Sequence, residues 1–168
     1  MSRILTFAAC LAAVAAVIAA PASANATQTL PTYRVSGVET GVPQGETSPF
    51  AGVAFSLTAG GAVWSASVDH TALSGCTETS ESCTITGGSF QLLSLHGAIT
   101  GTFIEGGTIT PERNILPDSC LNEKYDVAGS LTTNLGPAEF DVVLTHYQVR
   151  LFGRCVTYFA TVSGTFGP

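Results

Sequence analysis

The chain has 168 residues, 45% of them hydrophobic and 11% charged, with twelve acidic side chains against six basic ones and a formal charge of −6. This apolar content excludes a disordered chain. Six cations are too few for the basic footprint that nucleic acid or an anionic membrane needs, so the charge of the whole chain argues against both partners. The length suits one domain behind a leader.

Residues 1–24 read as a cleaved secretory signal peptide. Arg3 supplies the positive start, residues 4–20 are apolar apart from Thr6, and Pro21-Ala22-Ser23-Ala24 offers small residues at a peptidase site. The absence of basic stop-transfer residues argues against a membrane span. Cys10 lies inside the apolar run, which argues against a lipid anchor there. Cleavage after Ala24 leaves 25–168 as a single all-β domain, extracellular or periplasmic and without a membrane anchor. Losing Arg3 leaves five basic and twelve acidic residues, a net charge of −7.

After a polar start that includes the sequon Asn25-Ala26-Thr27, no stretch carries helical periodicity; Gly, Thr, Ser, Val and Phe dominate. A strand is expected over 33–40 and a loop over 41–49. Residues 50–59 and 62–69 form a hairpin about Gly60-Gly61, with Val53, Phe55 and Leu57 facing the core beside Trp64, Ala66 and Val68. A polar loop over 70–83 contains Cys76 and Cys83. Strands follow over 84–95 and 98–109, joined at His96-Gly97. Their internal pairs Gly87-Gly88 and Gly106-Gly107 predict bulges or bends. A Pro-bounded loop over 110–122 carries Cys120, and strands over 124–133 and 138–151 flank a turn at 134–137.

In the last hairpin, Gly153-Arg154 is read as the turn. Tyr147, Val149 and Leu151 then join Val156, Tyr158, Ala160, Val162 and Phe166 on the core face, and His146, Gln148 and Arg150 lie opposite. This makes about eight antiparallel strands. Closure removes sheet edges, so the expected fold is an up-and-down β-barrel, with a two-sheet sandwich as the alternative. The four cysteines of the mature chain predict two disulfides, Cys76–Cys83 and Cys120–Cys155, contributing about 2.5 and about 4 kcal/mol in the loop-entropy model.

The chain lacks a GxSxG elbow, a phosphate loop and an HExxH helix. Its three histidines, His70, His96 and His146, lie on separate segments, so neither a metal nor a cofactor is expected. Asp69-His70 reads as a polar strand end. Tyr33, Trp64, Phe90, Phe103, Tyr147 and Tyr158 read as core or as the lining of a ligand cavity. His146, Gln148 and Arg150 share one strand face and are the candidates for orienting an anionic or carbonyl-bearing ligand. Glu105, Glu139 and Asp141 are carboxylates without a geometry to couple them. The expected function is non-catalytic binding of a small ligand or partner. One alternative is a barrel-cavity isomerase, cyclase or hydrolase using His146 and Arg150. Another is an interaction or inhibitor protein that presents the loops 76–83 and 110–122.

Overall fold

The computed structural model describes residues 29–41, 46–72, 83–112, 120 and 122–168. The leader, its cleavage site, the Asn25 sequon and Cys76 lie outside them. Among the described residues nine strands occur in chain order: β1 (Tyr33–Glu39), β2 (Thr47–Ser56), β3 (Gly60–His70), β4 (Cys83–Ser94), β5 (Gly97–Phe103), β6 (Thr108–Pro111), β7 (Glu123–Thr133), β8 (Gly136–Leu151) and β9 (Arg154–Gly167). Among the described residues every pairing is antiparallel and most join neighbours in the chain; the exceptions are β4–β6, β5–β7 and β1–β9, the last of which closes the sheet. The barrel has eight positions because β5 and β6 share one. β5 pairs with the far part of β4 and with Leu131–Thr133 of β7, while β6 pairs with Cys83–Thr84 and Tyr125–Ala128. The break between them falls at the expected Gly106-Gly107 bend, where Gly106 has φ +99.

One end of the barrel is closed by tight turns and aromatic packing. Tyr33, Phe166, Phe90 and Trp64 form a chain of ring contacts, with Phe90 and Phe166 centroids 4.6 Å apart. The Trp64 indole lies over Gly37 and donates to the carbonyls of Val53 and Ser36 at 3.0 and 3.3 Å. A Cβ on Gly37 would stand 2.6 Å from Trp64 Cζ2, and one on its pair partner Gly52 would strike the Ser36 carbonyl. The bulk of Trp64 thus demands small residues beneath it, because the interior of an eight-stranded barrel has little spare volume.

That demand corrects the expected face of β2. Val53, Phe55 and Leu57 are exposed, and the inward residues are Ser48, Phe50, Gly52, Ala54 and Ser56. The turn holds three residues, 57–59, and Ser56 pairs with Gly60 at φ +74, so the parity of the register is opposite to that of a two-residue turn at Gly60-Gly61.

The last hairpin is corrected in the same way. Its turn is Phe152-Gly153, both at positive φ, and Leu151 pairs with Arg154. A bulge at Tyr158 then shifts the register between Tyr147 and Gln148, so His146 faces Ala160 and Leu144 faces Val162. The inward residues of β8 are Ala138, Phe140, Val142, Leu144 and His146. Ala160, Val162 and Phe166 are core as expected; Tyr158 is 68% exposed, and Tyr147 stacks on Phe159 outside the barrel. The expected bridge Cys120–Cys155 is present. Cys83 is also disulfide-bonded, and Cys76, its expected partner, lies outside the described residues.

Candidate functional site

The barrel interior holds a cavity of about 90 Å³. Residues from nearly every strand line it, including Trp64, Ile85, Phe90, Leu131 and Phe140, and all the lining residues are apolar except Ser48 and His70. These two sit at the end opposite the aromatic plug, where β1 ends, β2 and β7 begin and β3 ends. Here the inward register positions carry polar side chains: Glu39 from β1, Ser48 from β2, His70 from β3, Glu123 and Tyr125 from β7, and His146 from β8. A polar layer therefore caps an apolar chamber.

Ser48 and His70 are buried, and Ser48 Oγ lies 3.0 Å from His70 Nε2. His70 Nδ1 lies 2.8 Å from the Thr71 carbonyl, which can only accept, so Nδ1 carries the proton. In the neutral ring Nε2 is then the acceptor for the Ser48 hydroxyl. Asp69 does not take part. It points outward and accepts a 2.7 Å bond from Thr47, as alternation along the strand requires.

His146 lies deeper in the polar layer. Its Nε2 is 3.9 Å from Glu39 Oε2, too far for a hydrogen bond, and both side chains are about nine-tenths buried or more. Its cross-strand partner is Glu123. Burial pushes the imidazole below the ordinary histidine value of 6.5, against the opposing pull of Glu39 and Glu123, and nearby His70 adds to the lowering. The ring is therefore neutral at pH 7. Tyr125 packs edge-on against it with centroids 5.3 Å apart and donates to Glu123 Oε2 at 3.0 Å. Burial, then the charge and hydrogen bond of Glu123, hold the Tyr125 phenol well above its ordinary value. Glu39 Oε1 is buried and has no hydrogen-bond partner among the described residues.

Of the sequence candidates, only His146 belongs to this layer. Gln148 and Arg150 share its strand face but lie beyond the point where β7 leaves β8, and Arg150 is exposed. Strand periodicity aligned His146 with Arg150, but the β7–β8 pairing ends at His146, four residues before Arg150. Glu105, Glu139 and Asp141 are exposed and lie outside the layer. Tyr33, Trp64, Phe90 and Phe103 are interior, whereas Tyr147 and Tyr158 are not. Sequence reasoning missed Glu39, Ser48, Glu123 and Tyr125 as site residues. The signal was available as polar residues at inward positions of three strand ends, but it needs the correct register to be seen.

Among the described residues, no group of three or more His, Cys, Asp or Glu is placed to hold a metal ion. The class defined here is a disulfide-bonded, eight-position up-and-down barrel with an apolar chamber and one polar end. Comparison of the chain with protein families, with characterised proteins and with solved structures finds no match.

Proposed function

We propose that the protein is a secreted carrier of a small, mainly apolar molecule whose head group donates a hydrogen bond. One observation supports this above others: an apolar chamber ends at a layer where the buried Glu39 carboxylate keeps an oxygen without a donor among the described residues. Apolar cavities stay dry and take apolar guests; a cavity of about 150 Å³ holds benzene, so a smaller one suits a guest of roughly four or five heavy atoms. Buried acceptors are nearly always paired, and a hydroxyl or ammonium on the guest would supply what Glu39 lacks. The test compares n-butanol and n-butylamine with n-butyl chloride, which has no donor. The alcohol and amine should raise the melting temperature more than the chloride. If all three leave it unchanged, the reading fails.

Secretion rests on the leader pattern and on the Cys120–Cys155 bridge, which belongs to an oxidising compartment. Mass spectrometry of the exported protein should find Asn25 at the amino terminus.

The Ser48–His70 pair favours a second reading, a hydrolase. A hydroxyl bonded to a base of the right tautomer beside a cavity is the arrangement of an activated nucleophile. Hydrolysis of a short-chain activated ester, lost in both Ser48→Ala and His70→Gln, would support it over simple binding. The interaction-protein reading depends on loops 76–83 and 110–122, most of which lie outside the described residues.

A further inference from the structure

The outer face of β2, β3 and β4 carries an apolar row. Val53, Val63 and Leu93 are paired in register across the three strands, and all three are exposed. Phe55 follows Val53 on the same side of β2 by alternation and is 56% exposed. Leu57 and Leu95, in the turns that follow β2 and β4, are 95% and 100% exposed. At ordinary side-chain sizes these six residues expose roughly 700 Å², above the range of about 300–600 Å² for the largest apolar patch on a typical monomer.

The same face is without formal charge. Residues 47–68 and 83–104 contain no Asp, Glu, Lys or Arg, so β2, β4 and β5 have none, and β3 meets its first at Asp69, at the mouth. The row is bordered by Ser36 of β1, paired with Val53, and on the mouth side by the pair Ser65 and Gln91. Arg34, opposite Phe55, is the one charged residue paired with the patch among the described residues. The exposed acids Glu139 and Asp141 belong to β8, which stands four positions from β3 in either direction round the barrel. Acids and apolar row therefore occupy opposite walls.

Area and charge together select the occupant. A lipid surface holds a protein through cations at its phosphates as well as through apolar side chains, and Arg34 alone adjoins this patch. A strongly charged partner would find no counter-charges here. A second copy of the chain meets both conditions. The apolar row comes close to the roughly 800 Å² per partner of a standard interface before any of its polar border is added. The centres of such interfaces are depleted of charge, as this one is. Two chains of charge −6 repel each other, and docking across β3 leaves Glu139 and Asp141 of each copy on the far walls. A two-fold contact needs only one surface that fits itself, and a row without charge brings no like charges together at the axis.

We propose that the outer face of β2–β4 is the interface of a two-fold dimer of this chain, with Val63 near the axis and Phe55 and Leu93 on either side of it. The proposal is independent of what the barrel holds. The test is sedimentation velocity of the exported protein over a concentration series. The protein runs as a dimer at micromolar concentrations, and high salt leaves the dimer intact, because no ion pair holds it. Val63→Glu sets two carboxylates against each other at the axis and raises the dimer Kd at least about hundredfold. Val63→Thr keeps the β-branched shape, so it folds even where the glutamate does not, and raises the Kd about tenfold. The control lies on the other exposed apolar surface, the arm of residues 147–160 where β8 and β9 run past β7 and β1. Phe152→Asn at its tip leaves the dimer unchanged. A parent that is monomeric throughout the series overturns the proposal, and one that instead floats with phosphatidylcholine vesicles gives the face to lipid. A dimer that survives both Val63 variants, or that is lost in Phe152→Asn, places the contact elsewhere and overturns it as well.

Discussion

His146 and Glu39 approach each other across Ala160, with Nε2 and Oε2 3.9 Å apart and the alanine methyl between their strands. The gap is too wide for a hydrogen bond, so burial outweighs the carboxylate and the imidazole is neutral. A histidine whose folded value lies below its unfolded one contributes stability that is complete above about 6.5 and is lost as the pH falls toward the depressed value. Urea melts from pH 8 downward should show that loss beginning near pH 6.5, ahead of the carboxylates, and His146→Gln should flatten it. An unchanged slope in the variant would assign the loss to another group.

Glu39, in the polar layer at the end of the chamber, carries a buried oxygen with no partner among the described residues, a state that costs stability. Glu39→Leu should raise stability by about 1–3 kcal/mol, the range for removing an unsatisfied polar group or a poorly paired buried ion. The same variant should lose any preference for n-butanol over n-butyl chloride. A destabilised Glu39→Leu would show that the carboxylate is already satisfied in the folded protein.

Gly37 is held to glycine by Trp64. A Cβ there meets the indole at 2.6 Å and the Ala51 carbonyl oxygen at 2.5 Å, and one of those contacts lies in a paired strand that cannot retreat. Gly37→Ala should cost about 1–3 kcal/mol, as overpacking does. Trp64 is the sole tryptophan, so its emission should shift to the red as the ring is displaced. Native-like emission with full stability would show that the ring can move aside within the core.

The registers make opposite forecasts for residues that look alike in the sequence. Leu144→Ala, inside the barrel, should destabilise by about 2–5 kcal/mol. Tyr158→Ala, on the exposed bulge, should change stability by no more than about 0.5 kcal/mol. Denaturant melts of the pair decide, and a larger loss for Tyr158 would return the arm to the core.

The barrel itself was legible in the chain. Strand-length runs, turn dipeptides at His96-Gly97 and near Asn134, and the Gly106-Gly107 bend all lie where the strands start, stop or break, because turn chemistry and β-propensity are local properties. The face of β3, and that of β9 from Ala160 onward, were legible too, since Trp64, Val162 and Phe166 are too large to leave outside, whereas Val156 and Tyr158 earlier in β9 are exposed. The faces of β2 and β8 were not.

Sequence by itself determined an all-β chain of about eight strands with the Cys120–Cys155 bridge, because alternation, turns and cysteines are written along one dimension. Tertiary structure decided which side of β2 and β8 faces inward. A third turn residue after Ser56 and one extra residue at Tyr158 each reverse the parity of a pairing, and a reversal of one residue exchanges every inward side chain for an outward one. Both local arrangements are acceptable to the backbone. The choice between them comes from closing the ring around Trp64, where only the faces with Gly52, Ala54 and Leu144 leave room for the interior to fill. That closure also carried Glu39, Ser48, His70 and His146 to one end of the chamber, a meeting of four strands that no single stretch of sequence records.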